Sequence, residues 1–459
     1  MINFEEIKFQ KKHLNKVLHT TLNPEEPGVV RIHLVPPRKA FIKPKPSIAI
    51  INGKDYIPVN LSWSIVLACF IEEVNEYGGK EITDEELENV VSNTVKRVKK
   101  VYTYTSPATI KKDLKMMLNF FIAVARGEET EIDVGQMSLK DYAKYMKAPH
   151  RMDLMISSMK KNKRWNCNQK CLHCYAASQA YAETDELSTE DWKYIIDKCR
   201  DNYISQLTFT GGEPTLRKDL VDLVKYAEWF VTRLNTNGVL LTEELCKDLY
   251  EASLDSVQVT LYSYDKDIHN KLVGADNFDK TVQGIKNAIA AGLNVSTNTP
   301  LCTLNEDYIK TLEFIKDLGV TYATCSGLII TGNARTKESI QTQLSAEEIT
   351  SILKESCKYA KDNKMEISFT SPGWVKEETL RELGLEVPSC GACLSNMAIS
   401  PDGNVVPCQS WLIDGSSLGN MLLDNWDKIW NSDKCKKIRE NSAKVDYECP
   451  LRKGKVNEK

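Results

Sequence analysis

The sequence has no apolar run long enough to span a bilayer. The longest, Trp63 to Ile71, falls well short of the ~20 residues a transmembrane helix needs. Met1 to Lys12 is charged and has no apolar core, so no secretory signal is expected. An excess of one charge sign is also missing. The formal net charge is −3 over 459 residues, which gives no basic footprint and argues against nucleic acid as a partner. Repeats and low-complexity tracts are absent. What remains is an ordinary globular composition, 42% hydrophobic and 27% charged, on a chain too long for a single core. Two or three domains of a cytoplasmic protein without membrane contact are expected.

Cysteine, in contrast, is abundant, with 14 in the chain. In a reducing compartment these are better read as metal ligands or catalytic groups than as disulfides. They cluster: Cys167, Cys171 and Cys174 lie together, Cys390, Cys393 and Cys408 form a second group, and Cys449 follows. Cys69, Cys199, Cys246, Cys302, Cys325, Cys357 and Cys435 are isolated in helix-like or strand-like patterns and are assigned to packing.

The residue pattern changes along the chain. Val29–Val35, Ser47–Ile51 and Tyr56–Val59 read as strands, with Asn52-Gly53 as a tight turn. Three helices follow. Ser62 caps the first, which ends at Gly78-Gly79. Thr83 and Glu86 form a capping box for the second, with Leu87, Val90, Val91 and Val98 on its apolar side. Ser106-Pro107 opens the third, which buries Ile110, Leu114, Met117, Leu118 and Phe121 and ends at Gly127. An acidic stretch, 128–133, leads into a linker. From about residue 160, strands (206–210, 232–235, 256–262, 294–298 and 322–330) alternate with helices (189–200, 242–251 and 279–291). This alternation predicts an α/β fold with a parallel sheet, open or closed into a barrel, and a site at the strand C-termini. A helix at 346–362 and a Cys-rich tail complete the chain.

Cys167-Asn-Gln-Lys-Cys171-Leu-His-Cys174 has the spacing C-x3-C-x2-C. Three thiolates this close suit an iron–sulfur cluster, and three ligands for four irons leave one iron open to a cosubstrate. The competing assignment is zinc with His173 as fourth ligand. The motif resembles the radical S-adenosylmethionine (SAM) superfamily, with Leu172 where an aromatic is frequent and Tyr175 following in the family manner. The resemblance implies a partial (β/α)6 TIM-like barrel. It implies a 4Fe-4S cluster on Cys167, Cys171 and Cys174, and SAM cleaved to a 5′-deoxyadenosyl radical. It further implies SAM contacts from Gly211-Gly212-Glu213-Pro214, Asn235, Thr260 and Asn298. Asn235 begins Asn-Thr-Asn237-Gly238, which looks like the family's third-strand segment. A polar residue capping the next loop explains Asn235, Thr260 and Asn298 equally well. Val273 departs from the pattern, since relatives often carry Arg there. If that Arg steadies the SAM carboxylate, this chain must do so otherwise.

Cys390-Gly-Ala-Cys393 precedes Asp402-Gly403, a hairpin signal between 397–399 and 405–406, and Gly403-x4-Cys408. With Ser417-Leu-Gly-Asn and Ile429-Trp-Asn431, this resembles the SPASM region, and in cysteine number its shortened twitch form. The four thiols Cys390, Cys393, Cys408 and Cys449 would saturate one auxiliary 4Fe-4S cluster. Structural zinc on the same four is the alternative. The strands and three helices of the first ~130 residues loosely resemble the winged-helix-like leader-recognition element of ribosomal-peptide (RiPP) maturases, which binds by strand addition. Arg31, Arg38, Lys39, Lys43 and Lys45 make it basic. A solvated face is the commoner reason for such a run.

The resulting domain expectation is an α+β recognition module (1–130), a linker (131–158), a radical SAM barrel (159–340), and a bridging helix with a SPASM/twitch domain (341–459). The expected function is a radical SAM peptide maturase acting on a leader-bearing precursor peptide, with a reductase, flavodoxin or ferredoxin as electron donor. Its product would be a thioether or carbon–carbon crosslink, or an epimerised residue. A radical enzyme for a small molecule, cofactor precursor or other protein is the first alternative. A zinc-stabilised binding protein is the second. No side-chain constellation identifies a catalytic acid or base.

Overall fold

The computed structural model describes residues 3–14, 18–22, 30–36, 47–51, 55–77, 82–126, 128, 146–444 and 448–452. It forms two compact units. The first lies within 1–147 and takes in the short segments 199–205 and 229–231; the second holds the remainder of 148–459. Among the described residues no helix is long and apolar enough to cross a membrane.

In the first unit, helix α1 (Phe4–His13) precedes a four-stranded antiparallel sheet in the order β1-β2-β3-β4: β1 (Leu18–Leu22), β2 (Val30–Val35), β3 (Ser47–Ile51) and β4 (Asp55–Val59). Neither α1 nor β1 was expected. Helix α1 buries only Phe9, and so carries almost no apolar period. Every residue of β3 is buried, which is why its apolar run does not alternate. Helix α2 (Leu61–Asn75) is capped by Asn60 instead of Ser62. The Trp63 N–H donates to Asn60 Oδ1 at 2.9 Å, and the Ser62 hydroxyl donates to the same atom. Helix α3 (Asp84–Val101) has the expected capping box. Its buried face runs through Val90, Thr94, Val98 and Val101, and Leu87, one turn before that face begins, is 44% exposed. Helix α4 (Pro107–Arg126) buries Ile110, Leu114, Met117 and Phe121 as expected. The turn at Asn52-Gly53, the helix ends at Gly78-Gly79 and Gly127, most of the acidic stretch, and Arg38, Lys39, Lys43 and Lys45 lie outside the described residues.

The second unit is built on a nine-stranded sheet. Seven of its strands run in chain order from neighbour to neighbour: β5 (Arg151–Ser157), β8 (Gln206–Gly211), β9 (Val231–Thr236), β10 (Ser256–Thr260), β11 (Asn294–Pro300), β12 (Tyr322–Ser326) and β13 (Glu366–Phe369). A small hairpin, β6 (Lys160–Lys161) with β7 (Arg164–Trp165), follows β5. Helices α5 (Thr189–Asp201), α6 (Leu220–Tyr226), α7 (Glu243–Glu251), α8 (Lys266–Val273), α9 (Phe278–Ala290), α10 (Tyr308–Asp317), the short α11 (Lys337–Ile340) and α12 (Ala346–Asp362) fill the connections. This is the parallel α/β radical SAM architecture expected. Its first strand, β5, falls inside the stretch expected to be linker. Arg151 and Asp153 interrupt an otherwise apolar strand and hid it from a hydrophobic reading. The sheet also continues past residue 340 to β13. At the other edge, β14 (Asn396–Ile399) pairs parallel with β5 and antiparallel with β15 (Val405–Val406), so the Asp402-Gly403 hairpin forms where expected. The Cys-rich tail thereby lies against the strand that leads into the first cysteine motif.

Strands β9 and β10 alternate strictly in burial. Leu234, Val257 and Val259 are fully buried, whereas Arg233, Asn235, Gln258 and Thr260 line a cavity. A packed parallel barrel fills its interior with branched apolar side chains. Here the interior face is polar, and the lumen stays open.

Helix α9 is held to the loop after β9 at Gly284, where an added Cβ would stand 2.1 Å from the Gly238 carbonyl oxygen. Helix propensity alone favours alanine there by about 1 kcal/mol, but a backbone clash of this depth outweighs it, at about 1–3 kcal/mol. Gly284→Ala is therefore expected to lower the denaturant midpoint of the second unit, and an unchanged or raised midpoint would contradict this packing.

Candidate active site

The cysteine loop, 166–175, leaves the β6–β7 hairpin at the C-terminal end of β5 and is held by its backbone. Lys170 and Leu172 N–H groups donate to the carbonyls of Val273 (2.9 Å) and Leu272 (2.8 Å). Asn333 Nδ2 donates to the Cys171 carbonyl at 3.0 Å, the Asn333 N–H to that of Cys174 at 2.9 Å, and Ser339 Oγ to that of Leu172 at 2.8 Å. Trp165 Nε1 donates to the Gln169 carbonyl at 2.8 Å. Gly274, with φ +63°, is needed for this contact, because a Cβ there would lie 2.5 Å from the Lys170 oxygen. Val273, the departure from the family pattern, is thus a buried support for the loop.

Cys167, Cys171 and Cys174 line one cavity of about 540 Å³. Burial pushes the Cys167 thiol up to about 12, and raises those of Cys171 and Cys174 as well. The cysteines also act on one another electrostatically, Cys171 feeling both of its neighbours. Such thiols ionise when a cation takes them as ligands. His173 lines the same cavity. Its Nε2 meets Thr342 Oγ1 at 2.8 Å, and burial lowers its pKa to about 4. Its Nδ1 is buried with no hydrogen-bond partner among the described residues. Among the described residues no three ligand side chains stand at the spacing of a formed metal site. Three adjacent thiols facing open space are nonetheless the donor set a four-iron cluster takes, and the residues fit it once the thiols turn inward.

Gly211, Gly212, Glu213, Asn235, Thr260 and Asn298 line the same cavity; Pro214 does not, and is the buried first residue of a 3-10 turn. Gly211, at φ +142°, and Gly212 let the end of β8 press onto β5, since Cβ atoms there would lie 2.4 Å and 2.9 Å from the oxygens of Ser157 and Ser158. Glu213 is buried and saturated. Its Oε1 accepts from Thr215 N–H (3.0 Å), Thr215 Oγ1 (2.6 Å) and Thr236 Oγ1 (2.7 Å), and its Oε2 from Asn237 N–H (2.9 Å). It ties the ends of β8 and β9 together. Asn235 Oδ1 is buried without a hydrogen-bond partner, while Asn298 Oδ1 accepts from Thr324 Oγ1 at 2.9 Å. The sequence reading missed Arg151, Asp153, Arg233, Gln258 and Tyr322, which also line the cavity. Their signal was the alternation of polar residues within the barrel strands.

In the tail, Cys408 lies within electrostatic reach of Cys390 and Cys449, and Cys393 within reach of Cys408. Cys393 has φ +54°, and its thiol lies within electrostatic reach of Cys435. Cys435, assigned to packing, is fully buried. Arg439 Nη1 donates to its sulfur at 3.4 Å, and the guanidinium is fixed over the Trp430 ring at 3.9 Å. Of the other isolated cysteines, Cys69, Cys199, Cys246, Cys302 and Cys325 are fully buried, and Cys357 is half-buried. Gln409 and Ser410, next to Cys408, reach the barrel cavity.

Residues 166–318 match the Radical SAM superfamily. The barrel is a radical SAM domain. Residues 390–451 match the SPASM iron-sulfur cluster-binding domain. Together these imply a SAM-binding 4Fe-4S cluster and auxiliary iron–sulfur ligation. Among sequence relatives, the Fe-coproporphyrin III synthase of Methanosarcina barkeri is 32% identical over 40% of this chain and 48% of its own length. A protein named "Probable GTP 3',8-cyclase" from Saccharolobus solfataricus is 35% identical over 34% of this chain and 51% of its own. The chain thus spans about half the length of the curated relatives it matches. Among solved structures, Streptococcus suis SuiB bound to precursor peptide SuiA is similar at 16% identity and TM-score 0.58, covering 88% of this chain and 91% of that one. The anSMEcpe structure with bound AdoMet is similar at 18% identity and TM-score 0.51, covering 64% and 84%.

Protein purified without oxygen is expected to hold about eight irons per chain, as two four-iron clusters. Removing Cys167, Cys171 and Cys174 together should leave about four, and Cys390→Ala with Cys408→Ala should remove the other set. Zinc in place of iron, or full iron in either variant, would contradict the ligand sets.

Proposed function

We propose that this chain is a radical SAM peptide maturase. The observation that carries the reading is the continuity of the lumen: one polar cavity is lined by the three cysteines, by the strand-end residues Gly212, Asn235 and Thr260, and by Gln409 and Ser410 of the SPASM tail. When bound, the cluster and SAM supply a 5′-deoxyadenosyl radical that removes a hydrogen atom from substrate. The chain's own residues hold and exclude. Cys167, Cys171 and Cys174 would hold the cluster. The glycine pair and the unpartnered Asn235 oxygen would meet SAM, and the walls keep the radical from bulk water.

A peptide substrate is supported by the extent of the SuiB likeness, which covers 88% of this chain against 64% for anSMEcpe, and by the peptide bound in that SuiB structure. The first unit offers a four-stranded sheet with β1 and β4 at its edges, a form to which a leader could add a strand. The auxiliary cluster would then accept an electron or anchor substrate, and a flavodoxin or ferredoxin would reduce the first. The product would be a crosslink or an epimerised residue. A small-molecule substrate is the second reading, favoured by the names of the two sequence relatives.

Reduced wild-type enzyme given SAM is expected to release 5′-deoxyadenosine, and Cys167→Ala to release none. Co-expression with a candidate leader-bearing precursor peptide should then yield peptide that has lost two hydrogen atoms or gained a solvent hydrogen at one α-carbon. Deoxyadenosine release with no change in any such peptide would favour the small-molecule reading. No release under any reductant would overturn both.

A further inference from the structure

The barrel lumen stays polar down to the starts of its strands. Arg151, Arg233 and Tyr322 occupy that end of β5, β9 and β12, opposite the cysteine loop, and line the same cavity as the three cysteines. Asp153 stands one inward position above Arg151. Their charges are unequally matched. Arg151 Nε lies 3.0 Å from Asp153 Oδ1, and Asp153 is 1% exposed, so that pair is internally neutral. Arg233 makes no ion pair among the described residues, and its Nε reaches only Ser256 Oγ, at 3.4 Å. Two guanidiniums and one carboxylate share the floor, leaving one positive charge in excess. The groups acting on Arg233 are Arg151, Tyr322 and Asp153; burial and then Arg151 disfavour its charge. Arginine does not lose its proton in a protein, so the charge stays. Arg233 is half-buried, and its charge, matched by no ion pair among the described residues, faces open volume instead of packed wall.

We propose that Arg233, backed by Arg151, is an anion subsite of the substrate cavity and takes a carboxylate of the substrate. The planar guanidinium matches a carboxylate in a two-point contact. From Arg233 to Thr236, at the end of β9, the strand rises roughly 10 Å. An acid group held at the floor therefore stands about that far below the strand ends where the cysteine loop lies. Substrates of the right length place one carbon at the loop while the acid is clamped, and shorter or neutral ones do not. This rests on the reading that substrate enters this cavity. The carboxylate has two sources, an acidic residue of a peptide or a free small acid.

The test uses the full chain, purified without oxygen, with its clusters and SAM. Two matched probe pairs are titrated by calorimetry: N-acetylglutamate methylamide against N-acetylglutamine methylamide, and glutarate against glutaramide. Wild type is expected to bind the acid of at least one pair about tenfold more tightly than its amide. Preference in the first pair marks a peptide acid, and preference in the second alone marks a free acid. Arg233→Met should erase the preference and Arg233→Lys should retain most of it. Equal binding of acid and amide in both pairs, or an unchanged preference in Arg233→Met, overturns the subsite. If Arg233→Met fails to fold by circular dichroism and iron content, Arg151→Met, at a half-exposed position, carries the same comparison, with reduced preference expected and unchanged preference contradicting. Deoxyadenosine release from the same wild-type preparation reports separately. Acid preference without release keeps the subsite and removes the radical reading, and release without acid preference does the reverse.

Discussion

A loop that must present three free thiols cannot use them to hold itself in place. That constraint organises the second unit. The cysteine loop is fixed through its backbone by Leu272 and Val273 at the end of α8, by Asn333 and Ser339 beyond β12, and by the ring nitrogen of Trp165. Buried backbone groups left unpaired cost about 1–3 kcal/mol each, so these contacts stabilise the loop in one shape while the sulfurs stay available. Gly274 exists in its conformation for that contact, as Gly211 does for the approach of β8 to β5.

The same logic extends to the strand ends. Glu213 collects four donors from two segments and so locks the turn after β8 to the turn after β9. A carboxylate used this way is a strut for the cavity wall, whatever else the wall meets. Below it the lumen is built from alternating strands whose inward residues, such as Arg233, Asn235, Gln258 and Thr260, are polar, while Leu234, Val257 and Val259 pack outward. An apolar lumen would close by packing. A polar one can stay open, and its polar groups need partners. Among the described residues Asn235 Oδ1 has no hydrogen-bond partner and Arg233 makes no ion pair.

Much of this was legible in the chain because the relevant signals are local. The cysteine spacing, the Gly211-Gly212 turn, the Asp402-Gly403 hairpin and the Thr83–Glu86 capping box each lie within ten residues, and the turn, the hairpin and the capping box form where read. What escaped depends on residues distant in sequence. β5 was taken for linker because Arg151 and Asp153 break its apolar run, yet those two residues are what make it a lumen strand. The contact of Arg439 with the buried Cys435 forms only once the tail folds. Glu213 looked like part of a ligand turn, and its role as a strut depends on Thr236 and Asn237, a strand away. Leu87 looked buried because a helical period does not say where the partner surface begins.

The central claim is that Cys167, Cys171 and Cys174 hold a cluster with one iron open to SAM. The most direct measurement is the electron paramagnetic resonance spectrum of the dithionite-reduced enzyme, recorded on a variant lacking Cys390 and Cys408 so that only the first cluster contributes, before and after SAM is added. The account predicts a reduced four-iron signal whose g-values shift on adding SAM. A four-iron signal unmoved by SAM, or no iron signal at all, would contradict it.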